Sequence, residues 1–481
     1  MHSRATNAEI KHRKIINRIG FKHITVTITC YIMYNLPKIV TLEKILLFGA
    51  GKSASVLIDY LLSKSTSHSW KVIIADANKK MIEEKTKNHP NSEAVELDIT
   101  DEEKRKTLIA DASIVISMMP PSLHILVAKD CILFGKNLLT ASYADEEIKS
   151  LQQQVKDKGI LFLCEMGLDP GIDHMSAMQL LDEIKENGST VHSFKSHCGG
   201  LIAPESDNNP WHYKITWNPR NIVLAGKAGA VYRQDGHEVT EKYEDLFDAG
   251  HTVLTGDPEV PELSYYPNRN SLPYIELYGL EKAQTFIRTT LRYHDFMIGW
   301  KKIIELKLTD EAPFYETTGK SLAAFFNEHF IKWGIDMMKD INGITKTQMQ
   351  FLGLEDNTTF INKGLCSAAD VLQLSLEKNL CLKPTDKDMI VMLHEIDYLS
   401  KEGTQHSIHS SLLVKGDDNI HTAMAKTVGL PLGIAAKLIL EKKINLSGIH
   451  IPVIKEIYNP VLAELTEFGI TFRESRKKIS I

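Results

Sequence analysis

From residue 44 to residue 165 the chain alternates short, wholly apolar runs with longer stretches in which apolar positions recur at helical spacing. KILLF at 44–48, KVIIAD at 71–76 and SIVISMMP at 113–120 are the clearest apolar runs, and AVELD at 94–98, KNLLTA at 136–141 and ILFLCE at 160–165 continue the series. Runs of this length with no polar alternation predict strands buried on both faces. Helices are expected after the first run to about Leu62 or Lys64, and then over 79–88, 101–110 and 145–156. Strands alternating with helices imply right-handed crossovers, so the expected fold is α/β, a Rossmann-type doubly wound parallel sheet with ligands beyond the carboxyl ends of its strands.

From Ser193 the pattern changes. Residues 193–220, SFKSHCGGLIAPESDNNPWHYKITWNPR, join a strand to a Gly-Gly turn, polar and proline residues and an aromatic stretch, as a loop-rich site would. IVLAGKAGAVY at 222–232, LSYYPNRNS at 263–271 and TFIRTTLRY at 285–293 predict short β-type runs. Helical spacing then takes over, with helices over 320–338 and 367–380 and no strand-type run between them. Strands resume at 389–399 and 406–416 around a hairpin-like break at 401–403, and helices over 422–442 and 452–468 close the chain. The expected domains are an N-terminal extension (1–40), a dinucleotide-binding domain (41–165), a mixed α/β substrate domain (166–308 and 389–420), an inserted all-helical subdomain (309–388), and C-terminal helices (421–481) returning toward the first domain.

The turn after the first strand carries chemistry. Gly49, Gly51 and Ala54 stand at G-x-G-x-x-A spacing: the first glycine permits a tight turn, the second lets backbone approach a pyrophosphate, and the alanine lets helix pack closely on strand. The phosphates are expected on the first N–H groups of the following helix, from Lys52 and Ser53 onward, where the helix dipole also favours an anion. Asp76 closes the second strand 25 residues after Gly51 and is placed to accept hydrogen bonds from the adenosine ribose.

Composition narrows the partners. With 43% hydrophobic and 24% charged residues and a net charge of −5, nothing draws the chain to nucleic acid or an anionic membrane, so small molecules are expected. Its length, 481 residues, suits two or three domains. The six cysteines are scattered without C-x-x-C or metal-ligand spacing, which fits a reducing cytosol, and no metal site is expected. No apolar run reaches bilayer-spanning length. Residues 1–40 carry Arg4, Lys11, Arg13, Lys14, Arg18, Lys22 and Lys38 against Glu9; a transit peptide has such a balance, but a disordered or non-native extension before a start at Met33 is the expectation.

Arg220, Arg269 and Arg292, each attached to a β-type run, suggest a pocket for carboxylates, which guanidinium grips bidentately. In CEMGLDPGIDHMSAM, 164–178, Pro170-Gly171 marks a turn, Asp173 can cap the following helix, and Asp169 falls at the carboxyl end of a strand, where it can serve a substrate amine or simply form the turn. His394, His406 and His409 lack metal spacing and are expected to be structural.

EMGLDPGIDHMSAM (165–178), SHCGGLIAPESDNNP (196–210), YKITWNPR (213–220), YPNRNS (266–271) and IRTTLRY (287–293), taken in order, resemble the glutamate-forming saccharopine dehydrogenases, also called saccharopine reductases, closely over 44–293 and more loosely beyond. The resemblance implies a Rossmann domain, a mixed α/β substrate domain and a helical domain. It implies reversible NAD(P)-dependent oxidation of saccharopine to glutamate and 2-aminoadipate semialdehyde through an imine, in lysine metabolism. By correspondence Ser142, Tyr143, Asp169, Arg269, Thr290, Leu291 and Arg292 would contact saccharopine, while Gly51, Asp98, Met119, Ala141, Leu168 and Arg220 would lie on or near the cofactor. Asp169 is the candidate proton carrier, with Cys198 and His197 as alternatives. A homodimer is the family-based expectation.

Two departures matter. Where the fungal enzymes resemble ACRT, with an arginine for a 2′-phosphate, this chain has Ala75-Asp76-Ala77-Asn78, which predicts NAD; Lys79 or Lys80 leaves NADP open. Trp211-His212 replaces the usual Leu-Gly. The rivals are a carboxynorspermidine dehydrogenase-type imine reductase, whose substrate needs fewer clamping arginines, and a non-catalytic NAD(H)-binding module.

Overall fold

The computed structural model describes residues 42–248 and 250–479; the extension over 1–40, with Cys30, lies outside the described residues. Six strands, β1 (Glu43–Phe48), β2 (Trp70–Asp76), β3 (Ser92–Glu96), β4 (Ile114–Ser117), β5 (Asn137–Thr140) and β6 (Leu161–Leu163), form a parallel sheet in the order β3-β2-β1-β4-β5-β6, with Gly448–His450 beyond β6 as the seventh strand. β1 pairs with β2 on one side and β4 on the other, so the strand order reverses there. In β1, Ile45 and Leu47 join one buried cluster and Leu46 and Phe48 another. Both faces are covered by helices, which is why these runs show no alternation.

The second sheet has ten strands and is mixed. Its main path runs Thr252–Asp257, Val260–Pro267, Thr285–Arg292, β7 (Thr190–Ile202), Asp388–Leu399, Gln405–Lys415 and Arg473–Ile479. β7 is parallel to Thr285–Arg292 and antiparallel to Asp388–Leu399. Helices Leu322–Trp333, Met337–Asp340, Gly343–Phe351 and Ala368–Asn379 gather over a separate aromatic core in which Phe296 stacks on Trp300 at 5.3 Å.

Several sequence expectations are corrected. The helix expected over 145–156 is two, Glu146–Lys149 and Gln152–Asp157. Part of 222–232 is helical: Asn218 accepts from the Arg220 N–H and Pro219 occupies the first turn, so the chain enters Pro219–Val223 as a capped helix before the strand Ala230–Gln234. Tyr315–Glu316 pairs with Leu365–Cys366 inside the region expected to be wholly helical. The C-terminal segment adds two strands besides its helices; Arg473–Ile479 is exposed throughout and charged, as an edge strand can be, and so carried no apolar signal.

Ala423–Leu440 packs against Ser55–His68, the helix that follows the glycine turn, and Tyr60 of that helix donates to Glu464 at 2.7 Å while Lys437 pairs with the other oxygen at 2.6 Å. By length and composition Ala423–Leu440 could cross a membrane, contrary to expectation, yet 72% of it is buried inside the protein, where its apolar residues belong to the core.

Candidate active site

The glycine turn is fixed by its neighbours. The Gly49 N–H donates to Ala75 O of β2 at 2.9 Å, and φ of +94° with Met118 O 3.0 Å from the position of an added Cβ leaves room for glycine alone. At Gly51 a Cβ would meet nothing within 4 Å, so open space lies over the turn where a pyrophosphate would rest, and Lys52 is exposed beside it. Ala54 is buried under the helix start. Asp76 leans into the turn: one carboxylate oxygen accepts from the Ala50 N–H at 2.8 Å and the other from Asn78 N–H at 3.0 Å. These residues fit a dinucleotide. Asp98, exposed past β3, accepts from the amide and hydroxyl of Thr100, which hold its carboxyl below the usual range. Met119 follows β4, Ala141 follows β5 and Leu168 follows β6, all at the carboxyl edge of the sheet.

On the same edge, His124 bridges the ends of β4 and β5. Its Nδ1 meets Ser117 Oγ at 2.8 Å, and its Nε2 meets Ser142 Oγ at 2.8 Å and Thr140 Oγ1 at 3.3 Å. Burial pushes the imidazole down to about 4, so it is neutral and must use one nitrogen as donor and the other as acceptor. This ring fixes Ser142.

The centre of the site is a buried cation that the sequence reading passed over. Arg288 donates through Nη2 to Asp169 Oδ1, to Asp173 Oδ2 at 2.8 Å and to the Tyr143 hydroxyl at 3.3 Å, and its guanidinium lies 4.5 Å over the Tyr274 ring. Tyr143 in turn donates to Asp169 at 3.2 Å. Two carboxylates thus share one guanidinium, and they separate: burial raises Asp169, helped by the charge of Asp173 and opposed by Arg288, while Asp173 is held low against burial by His174, Arg288 and the Gly171 N–H. Asp173 does not act as the expected N-cap residue; it lies inside the first turn and accepts from Gly171 N–H at 2.6 Å. Gly171 is obligatory, since at φ +147° any Cβ would fall 2.1 Å from Gly167 O.

A second tier supports the first. Glu165 accepts from the Ala144 N–H, from Tyr274 and, at 2.8 Å, meets His174 Nε2; His174 Nδ1 contacts Tyr278. In the sequence Glu165 closed a predicted strand and His174 followed a turn signal, while Tyr274 and Tyr278 fell in no predicted element.

The strand Thr285–Arg292 presents Arg288, Thr290 and Arg292 on one face by its two-residue period, with Thr290 in register with Cys198 of β7. Arg292 is buried between Tyr213 and Phe296, with ring distances of 5.5 and 5.4 Å; it donates to Leu291 O, and its Nε has no partner among the described residues. Leu291 points to the opposite face, into a small apolar cluster. Arg269, exposed at φ +55°, lies 5.5 Å over the Tyr143 ring. Arg220 pairs at 2.9 Å with both Asp370 and Glu311 beside the helical region. Cys198 is buried and its thiol is pushed well up by that burial, while His197 is engaged by Thr289 and Glu395.

Arg288 could have been found. It stands four residues before Arg292 in a predicted strand and therefore on the same face.

Known proteins agree with this architecture. Residues 45–163 match the saccharopine dehydrogenase NADP binding domain and residues 167–470 the saccharopine dehydrogenase C-terminal domain. The chain is 35% identical over 453 residues to the mitochondrial alpha-aminoadipic semialdehyde synthase of Bos taurus, covering 90% of this chain and 48% of that protein. It is 31% identical to the saccharopine dehydrogenase [NADP(+), L-glutamate-forming] of Saccharomyces cerevisiae, covering 90% of this chain and 99% of that one. The solved apo histidine-tagged saccharopine dehydrogenase (L-Glu forming) from that yeast superimposes with a TM-score of 0.80 at 29% identity, covering 91% of this chain and 100% of the other. The chain spans about half the length of the semialdehyde synthases it matches. Its first domain is of the nicotinamide-dinucleotide-binding kind, and the chain belongs to the saccharopine dehydrogenase family.

Proposed function

We propose that the chain catalyses the reversible oxidation of saccharopine to L-glutamate and 2-aminoadipate 6-semialdehyde. When bound, the nicotinamide accepts or supplies the hydride at the carbon of the substrate C–N bond. The residues do the rest. Arg292 and Arg269 grip carboxylates, and Thr290 lies between Arg292 and Arg288 on the strand face. Ser142, fixed by His124, and Tyr143 border the reacting nitrogen. Asp169, raised by burial, takes the proton that the substrate ammonium gives up before hydride leaves the carbon; once water has added to the resulting imine carbon, it returns that proton to the nitrogen, so that the C–N bond of the carbinolamine breaks and glutamate and the semialdehyde are released.

The observation that carries this proposal is Arg292, a buried guanidinium whose Nε is unpartnered among the described residues, on the strand face that also bears Arg288 and Thr290. A buried, unmatched cation is costly without an anionic ligand, and a tricarboxylate supplies one. A carboxynorspermidine-type substrate has fewer acids and more amines to place.

Coenzyme preference follows Asp76. Its carboxylate stays at the ribose end of the turn, where it repels a 2′-phosphate and accepts from a free 2′-hydroxyl, which supports NAD, although the fungal relatives are named for NADP(+). The free thiols among the described residues suit a reducing cytosol as the place of action.

One spectrophotometric assay tests the reaction: coenzyme reduction at mildly alkaline pH with saccharopine, with carboxynorspermidine, or with neither. Turnover of saccharopine is expected; turnover of carboxynorspermidine alone would overturn the assignment. Asp169→Asn is expected to lower kcat by a hundredfold or more. Unchanged turnover across pH would remove its proton role.

A further inference from the structure

The glycine turn carries a cation that neither the motif nor the arginine pattern indicates. Lys85, on the helix Lys79–Thr86 that follows β2, reaches back so that its ammonium donates to Gly51 O at 2.6 Å and to Ser55 Oγ at 2.7 Å. Gly51 is the residue whose backbone faces the open space, and the neighbouring Ala50 amide is held by Asp76. One acid and one ammonium therefore hold successive residues of the same turn, the acid at the end of β2 where an adenosine ribose presents its 2′-oxygen. Lys79 and Lys80 are turned elsewhere: they lie 3.9 Å from Glu83 and 3.8 Å from Glu84 along their own helix, with exposed side chains. An ammonium has three N–H donors, and two of those of Lys85 are spent on the turn.

We propose that Lys85 is the residue that admits a 2′-phosphate, its remaining N–H and its charge offsetting the repulsion of Asp76. The proposal rests on the dinucleotide assignment and deepens it: Asp76 favours the free ribose, and Lys85 sets how far the phosphorylated one is penalised. Burial also lowers the lysine to about 8, so the cation is partly desolvated and its attraction for a phosphate is less screened than at an exposed lysine. Coulombic attraction to Asp59, and then to Asp76, opposes that lowering.

The test is direct binding, read by the quenching of protein fluorescence and the enhancement of reduced-nicotinamide fluorescence, at pH 7 and without substrate. In Lys85→Met the Kd for NADPH is expected to rise tenfold or more while that for NADH changes by less than threefold; Lys85→Arg is expected to keep NADPH binding within threefold. Ser55→Ala frees one hold on the lysine without removing its charge and is expected to leave the NADPH to NADH ratio unchanged. Equal weakening of both coenzymes in Lys85→Met would mean that the lysine only braces the turn and would overturn the proposal. So would wild-type protein that binds NADH but no NADPH. Because no substrate is present, a protein that binds both coenzymes as stated yet turns over no saccharopine would refute the proposed reaction and leave Lys85 standing.

Discussion

Replacing Arg288 by Met should cost about 3–5 kcal/mol of folding stability, because it leaves two buried carboxylates, Asp169 and Asp173, without the guanidinium they share. The side chain is 5% exposed, so water cannot take over the lost bonds, and the stacking on Tyr274 goes as well. Methionine matches the stem in length, so little of the loss comes from a cavity. The sign of the pH dependence follows. Without Arg288 both carboxyl groups should have folded-state values above their unfolded ones, and a raised group contributes stability that is present below the unfolded value and lost as pH rises through the folded value. The deficit of the variant should therefore be larger at pH 8 than at pH 5. Adding Asp173→Asn to Arg288→Met removes one of the two stranded charges and should recover at least 1 kcal/mol, a coupling that two independent sites would not show. Urea unfolding followed by circular dichroism at the two pH values measures all three proteins. A single variant within 1 kcal/mol of wild type at both pH values would refute the buried triad.

Arg292 should behave in the opposite way. Arg292→Leu is expected to raise KM for saccharopine by ten- to a hundredfold with a smaller effect on kcat, while thermal melts of the protein without ligand stay level or rise, because an unmatched buried cation is removed; a loss above 2 kcal/mol would mean the side chain is structural. His124 makes an acid-side prediction. Its folded value of about 4 lies below the ordinary 6.5, so its contribution of roughly 3 kcal/mol is fully present above 6.5 and lost as pH falls through 4. His124→Asn keeps one donor and one acceptor but cannot take up that proton, so its melting temperature should fall less steeply between pH 6.5 and 4 than wild type does. Parallel slopes would show that His124 does not titrate as stated.

The apolar runs and the glycine spacing determined the parallel sheet, the place of the dinucleotide and the edge where chemistry occurs, because burial on two faces and a tight turn are local demands that each residue meets by itself. Local patterns also placed Asp169 and Arg292 on elements that reach that edge. Only the tertiary structure decided which charges are free to act. Arg220 and Arg292 look alike in sequence, but one is neutralised by Asp370 and Glu311 and the other is buried with an open Nε. Asp169 and Asp173 both belong to one turn signal, and it is a guanidinium from a strand more than a hundred residues away that separates their protonation. Lys85 became part of the glycine turn through a reach across 34 positions. Electrostatic roles depend on distance in space and on the water excluded between groups, and neither is written in the order of residues along a chain.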